Sequence, residues 1–231
     1  MNRLARIQAI SGLGFAVFLV LHLATTVSAV GGPASYDSTL GSLRAIYRAH
    51  PIVEFTLIGL SAAVHIACAI LQILHRRRTG PHPTPAFRLR LHRWSGYVLM
   101  LFIVGHVFAT RVMPALGEGP ADYSYLAYSV LSWPVFINPY YYALGLAGAI
   151  HFGLGLGFAA SALAPRGFGE AATRRTSIAA TVVAGILVFA GVTGIIAGAE
   201  KADQARFSEY RALYNRYMPF MPKGNIHMSA D

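Results

Sequence analysis

The sequence holds one cysteine, Cys68, in 231 residues. A single thiol excludes an intramolecular disulfide framework and any CxxC metal or redox motif. Charge is scarce too. Only 12% of residues are Asp, Glu, Lys or Arg, against about 25% in a soluble domain. With 55% hydrophobic residues and a mean hydropathy of +0.50, the chain is neither a soluble globule nor disordered. Acid is the rarer sign, with 9 Asp and Glu against 19 Lys and Arg and a formal charge of +10. On a membrane protein that excess marks cytoplasmic loops and not a nucleic-acid partner. Glycine-rich phosphate loops, HExxH and GxSxG are all missing.

What is present is five long apolar runs, at residues 7–30, 52–74, 94–113, 140–163 and 178–198. Each is long enough to cross a hydrocarbon core of ~30 Å as a helix rising ~1.5 Å per residue. The runs are continuous and not alternating, which argues against strands. The expected fold is all-α: one integral membrane domain over residues 1–231, its first four helices forming a four-helix bundle. Glu54 and Arg111 are the only charged residues inside the runs, and both lie near span ends. The stretch 124–139, rich in Tyr, Trp and Pro, reads as an interfacial loop and not a sixth span. The first run has the basic start of a signal peptide. Its apolar part exceeds the ~7–15 residues of a signal sequence, and the run has a relative later in the chain, so it reads as a span.

Basic residues orient the chain. Arg3 and Arg6 precede span one. Arg76, Arg77, Arg78, Arg88, Arg90 and Arg93 lie between spans two and three, and Arg166, Arg174 and Arg175 between spans four and five. The opposite side holds Arg44, Arg48 and Arg111. The positive-inside rule puts the N-terminus in the cytoplasm and the segment after span five outside. That last segment carries Lys201, Arg206, Arg211, Arg216 and Lys223, which pull the other way. The expected location is the cytoplasmic (inner) membrane.

The sequence repeats itself. At an offset of 84, Arg6, Ser11, Gly12, Phe18, Val20 and His22 of span one meet Arg90, Ser95, Gly96, Phe102, Val104 and His106 of span three. At an offset of 86, Gly59, Leu60, Ala63 and His65 of span two meet Gly145, Leu146, Ala149 and His151 of span four. The first four helices read as two copies of a helix pair, with a fifth that has no counterpart and no histidine.

Four of nine histidines therefore lie inside spans, one per helix, at equivalent positions. Ionisable groups in a membrane are costly and need partners. With the N-terminus inside, His22 lies ~22 Å and His106 ~18 Å from the inner edge. His65 lies ~20 Å and His151 ~16 Å from the outer edge. That makes two level pairs, His22 with His106 and His65 with His151, and rules out His22 with His65, which differ by roughly 12 Å along the membrane normal. Two level pairs on four helices are what two bis-histidine haems b need. Glycines on span four and small residues around His65 suit a porphyrin or close helix packing, and Cys68 reads as small packing filler. Haem propionates want cations near the membrane faces. Arg111, Arg44, Arg48 and His50 are outer candidates, and Arg90, Arg93 and His75 inner ones.

This layout resembles the di-haem cytochrome b subunit of succinate dehydrogenases and fumarate reductases, the succinate:quinone oxidoreductases. The likeness rests on five helices, a histidine on each of the first four, and the stretch Gln8-Ala9-Ile10-Ser11-Gly12 followed by Phe18 and His22. His92-Arg93-Trp94-Ser95-Gly96 is similar to the HRxSG motif of single-haem relatives. The resemblance implies a membrane anchor for a flavoprotein and an iron–sulfur protein on the cytoplasmic face. It implies that His65 and His151 hold the haem nearer the iron–sulfur subunit and His22 and His106 the farther one, with menaquinone or another quinone as substrate. The dicarboxylate site would lie on another subunit, so this chain is a non-catalytic subunit of an enzyme. Ser11, Arg93 and Ser95 then become candidates for contact with a quinone carbonyl at the inner edge. Two other readings stay open: a cytochrome b subunit of a hydrogenase or formate dehydrogenase, and a haem-free transporter or scaffold.

Overall fold

The computed structural model describes residues 3–48, 50–80, 84–117, 121–163, 170–222 and 224. Arg166, Lys223 and the side chain of Arg48 lie outside the described residues. The described chain is helical throughout, with no strand, and five helices are long and apolar enough to span a membrane. Span one is Arg3–Gly31, span two Ile52–Arg78, span three Phe87–Leu116, span four Pro134–Leu163 and span five Ala171–Lys201. This is an all-α, multi-pass membrane protein. A helix satisfies its own backbone groups, which is what a bilayer demands of any segment inside it.

Each span outruns its apolar run. Span three begins at Phe87, seven residues before Trp94, and carries Arg88, Arg90, His92 and Arg93 on its first two turns. The helix continues past the edge of the hydrocarbon because arginine stems reach back to water while the backbone stays hydrogen-bonded. The stretch 124–139 is also helical and not a loop. Tyr123–Ser132 forms a short helix capped by Asp122, whose carboxylate accepts from Tyr125 N at 3.0 Å. After a break at Trp133 the chain enters span four directly at Pro134, a residue suited to the first turn of a helix.

Span one packs against spans two, four and five, span three against span four, and span four against span five. Spans one and three are not packing neighbours, nor are spans two and four. Spans two and three share few or no close backbone contacts either; the diagonals, one–three and two–four, are marked by the histidines that face each other across them. Span five closes one side through glycine. A Cβ at Gly191 or Gly194 would strike the backbone of Thr26 or of Ala29 and Val30, and one at Gly153 the backbone of Thr181. The densest packing lies at the end where spans one, three and five finish. There the helix Pro33–Arg48, the helix Tyr123–Ser132 and the C-terminal helix Phe207–Tyr217 bury Tyr36, Tyr123, Tyr125, Tyr128, Phe207 and Tyr210 together with Met113. Large aromatic areas of this kind dominate packing energy. This cap shuts one end of the bundle.

Candidate functional site

The repeat builds the same local device twice. On span one, Ser11 donates to the carbonyl of Gln8 at 3.1 Å; on span three, Ser95 donates to the carbonyl of His92 at 2.9 Å. His65 Nδ1 lies 3.0 Å from that Gln8 oxygen, and His151 Nδ1 lies 3.0 Å from that His92 oxygen. A carbonyl only accepts, so each ring donates its Nδ1 proton and keeps the lone pair on Nε2. The glycine one turn on makes the approach possible. A Cβ at Gly12 would lie 2.9 Å from His65 Nδ1, and one at Gly96 3.0 Å from His151 Cε1. The Ser-Gly dipeptides of the repeat thus seat two imidazoles against two helices.

The seated rings face each other across one diagonal, with centroids 6.0 Å apart and planes at 87°. On the other diagonal His22 and His106 do the same, with centroids 6.0 Å apart and planes at 74°. Their helices are locally matched as well: Thr26 donates to His22 O at 3.0 Å, and Thr110, 84 residues on, donates to His106 O at 2.7 Å. Phe18 stacks on His22 at 5.8 Å. His106 Nδ1 is buried with no partner among the described residues, an anomaly that calls for a ligand or a proton acceptor. Because His65 rests on Gly12 and His151 on Gly96, each pair sits ten residues of helix, or ~15 Å, from the other.

The pairs fit an ion held between two imidazoles. Metal–imidazole bonds of about 2 Å on either side, plus the ring radii, leave centroids about 6 Å apart. Among the described residues no group of three or more His, Cys, Asp or Glu converges. Two imidazoles alone would not complete the coordination of a six-coordinate ion, so any such ion here would need a ligand that brings its own donors. An iron porphyrin does so.

The other residues singled out by sequence fall into place unevenly. Arg111 Nε donates to Glu54 Oε1 at 3.0 Å, tying span three to span two. Both residues sit at π-helical turns, Phe55–Leu60 following Glu54 and Phe108–Val112 containing Arg111. Such turns recur at functional sites. Arg44 faces the cap, where its Nη2 donates to Ala121 O at 2.8 Å. His50, His75 and Arg90 are exposed, Arg93 is half-buried, and Cys68 is buried. Ser11 and Ser95 spend their hydroxyls on Gln8 and His92, and Ser95 Oγ also lies 3.4 Å from His151 Nδ1. Two residues of the neighbourhood were legible in the sequence only as the start of a motif and as a loop cation, and not as contacts of His151 and its helix. His92 stacks on His151 with centroids 4.0 Å apart and planes at 13°. Arg88, one turn earlier, lies over Phe158 at 5.8 Å. Their signal was the offset of 84 itself, which sets His92 against Gln8.

Comparison with protein-family models, with curated proteins and with solved structures finds no match for this chain.

Proposed function

We propose that this protein is the membrane anchor and electron-transfer subunit of a succinate dehydrogenase or fumarate reductase, with two haems b. The observation that carries the reading is the pair of matched histidine diagonals, each with ring centroids 6.0 Å apart. When bound, haem supplies reversible one-electron transfer. The chain's own part is to hold: His65 and His151 present Nε2 because Gln8 and His92 take the Nδ1 protons, and these two would hold one haem while His22 and His106 would hold the other. The haem-facing diagonals lie ~15 Å apart along the helices. Quinone, with menaquinone first among the candidates, would meet the inner edge near Ser11, Arg93 and Ser95. A flavoprotein and an iron–sulfur subunit would dock on the cytoplasmic face of the inner membrane, where the positive-inside rule also places the N-terminus. The dicarboxylate site belongs to those partners.

The test is a visible spectrum of the protein purified from membranes. The expected result is a Soret band, a reduced α band of b type and two haems per chain, with a flavoprotein and an iron–sulfur protein co-purifying. A spectrum without a Soret band overturns the haem reading. Two haems with a hydrogenase or a molybdenum enzyme as the co-purifying partner would move the chain to that class of quinone-linked oxidoreductase.

A further inference from the structure

The two halves of the inner site differ in a way their common fold does not require. In both halves the fold uses only a backbone carbonyl, that of Gln8 in one and of His92 in the other. Gln8 turns its side chain to Gln72, which donates to it. The positions equivalent to Gln8 and Gln72 are His92 and Phe158, and these form an aromatic contact at 5.1 Å. The position equivalent to Leu4 is Arg88. The second half has therefore exchanged an apolar side chain and an amide for a cation and an imidazole.

Each new group has one buried polar atom, Arg88 Nε in one and His92 Nδ1 in the other, without a partner among the described residues. Arg88 and His92 lie four residues apart, on one face of span three. That face looks at glycine: a Cβ at Gly155 would be 3.3 Å from His92 Cε1, and one at Gly157 3.4 Å from Arg88 Nη2. Neither span three nor span four contains an acidic residue, and among the described residues no carboxylate pairs with Arg88. A guanidinium near the membrane edge ordinarily extends to water. This one folds inward over Phe158 with no counter-charge, a costly arrangement unless an anion joins it.

We infer that Arg88 and His92 form a binding site for a carboxylate of the inner cofactor, a haem propionate held between spans three and four. This rests on the haem reading above. The guanidinium supplies charge and a forked donor and the imidazole a second donor, while Gly155 and Gly157 let the two side chains lie close against span four. A cation on that carboxylate favours the reduced, less positive iron and so raises the reduction potential of that haem alone.

The test is spectroelectrochemical titration of the assembled complex bearing Arg88→Gln, Arg88→Lys, His92→Phe or Arg77→Gln. The inner haem is the component that His65→Ala abolishes. The expected result is a lower inner midpoint in Arg88→Gln, or loss of that haem alone, with the outer midpoint unmoved. Arg88→Lys recovers most of the shift. His92→Phe, which keeps the stack on His151 but removes the donor, shifts the same midpoint in the same direction. Arg77→Gln, which removes an exposed cation from the same inner face, leaves both midpoints in place. If Arg88→Gln leaves the inner midpoint unchanged, moves both midpoints alike, or is matched by Arg77→Gln, the carboxylate site is overturned while the haem reading stands. Wild-type protein without a Soret band overturns both.

Discussion

His65 Nδ1 and the carbonyl oxygen of Gln8 are 3.0 Å apart, and 12 is the only nearby position on span one where a missing side chain lets that ring in. The contact makes a prediction about glycine. Gly12→Ala puts a methyl 2.9 Å from His65 Nδ1, on a ring that cannot move without losing its hydrogen bond. Overpacking of this kind costs about 1–3 kcal/mol. The expected outcome of Gly12→Ala is partial loss of the inner haem, with the outer haem retained, read as haem per chain in purified membranes. Gly96→Ala should do the same through His151. Gly105→Ala, where a Cβ meets nothing within 4 Å, should leave haem content as it is.

The pairing itself is tested by the four axial residues. Low-spin haem b needs both imidazoles. His22→Ala and His106→Ala should each remove, or convert to high spin, one spectroscopic component, and His65→Ala and His151→Ala the other. Redox titration of each variant should show one of two midpoints missing. Rings ~15 Å apart along the bundle cannot share an iron. If His22→Ala and His65→Ala erase the same component, the two-pair arrangement is wrong.

How much of this was legible in the sequence varies with the physics involved. The spans were legible because lipid forces long unbroken apolar runs. The histidine pairs were legible because the offsets of 84 and 86 carry one local device into two places. The contact of His92 with His151 was not, since reading span three from Trp94 left its first two turns to a loop. Arginine can hold a helix past the hydrocarbon edge, and hydropathy does not register that. The cap was read as a loop for a related reason. Tyrosine and tryptophan mark interfaces and also fill cores, and only the tertiary fold shows that Phe207, Tyr210 and Tyr214 come back to cover Tyr125 and Tyr128. The pairing of Glu54 with Arg111 depends on the register of two helices, which no single span encodes.

The cap also sets a limit at alkaline pH. Tyr123 is fully buried, and its hydroxyl donates to Ile195 O at 3.0 Å. Burial, with the Asp37 carboxylate beside it, pushes its phenol up to about 12. Above pH 10 a tyrosine in the unfolded chain has lost its proton while Tyr123 still holds it. The folded state then binds more protons, so stability falls as pH rises from 10 towards 12. Tyr123→Phe removes that titration. The variant should unfold at lower temperature near neutral pH, because a buried hydrogen bond is gone, and should show a flatter decline above pH 10. Thermal melts across pH 8–12, with phenolate absorbance followed in parallel, would show it. Equal slopes in the two proteins would mean that Tyr123 is not the group responsible.

Asp122 is where the cap is pinned. One carboxylate caps the helix Tyr123–Ser132 through Tyr125 N, accepts from Tyr210 Oη at 3.0 Å and pairs with Arg206 Nη1 at 2.6 Å. Tyr210 lies on the C-terminal helix and Arg206 just before it, so the residue joins two segments 84 or more residues apart in sequence. Losing an N-cap costs about 0.5–2 kcal/mol, and a partly exposed ion pair adds at most about 1 kcal/mol. Asp122→Ala should therefore loosen the C-terminal helix before it unfolds any span. Limited proteolysis of the variant in membranes is expected to cut faster around residues 203–206 than in wild type, with the five spans still protected. Asp122→Asn keeps an acceptor for the cap and for Tyr210 but drops the charge, and should fall between the two. Cleavage unchanged in Asp122→Ala would show that the aromatic cluster around Tyr128 and Tyr214 holds the C-terminal helix without help from the carboxylate.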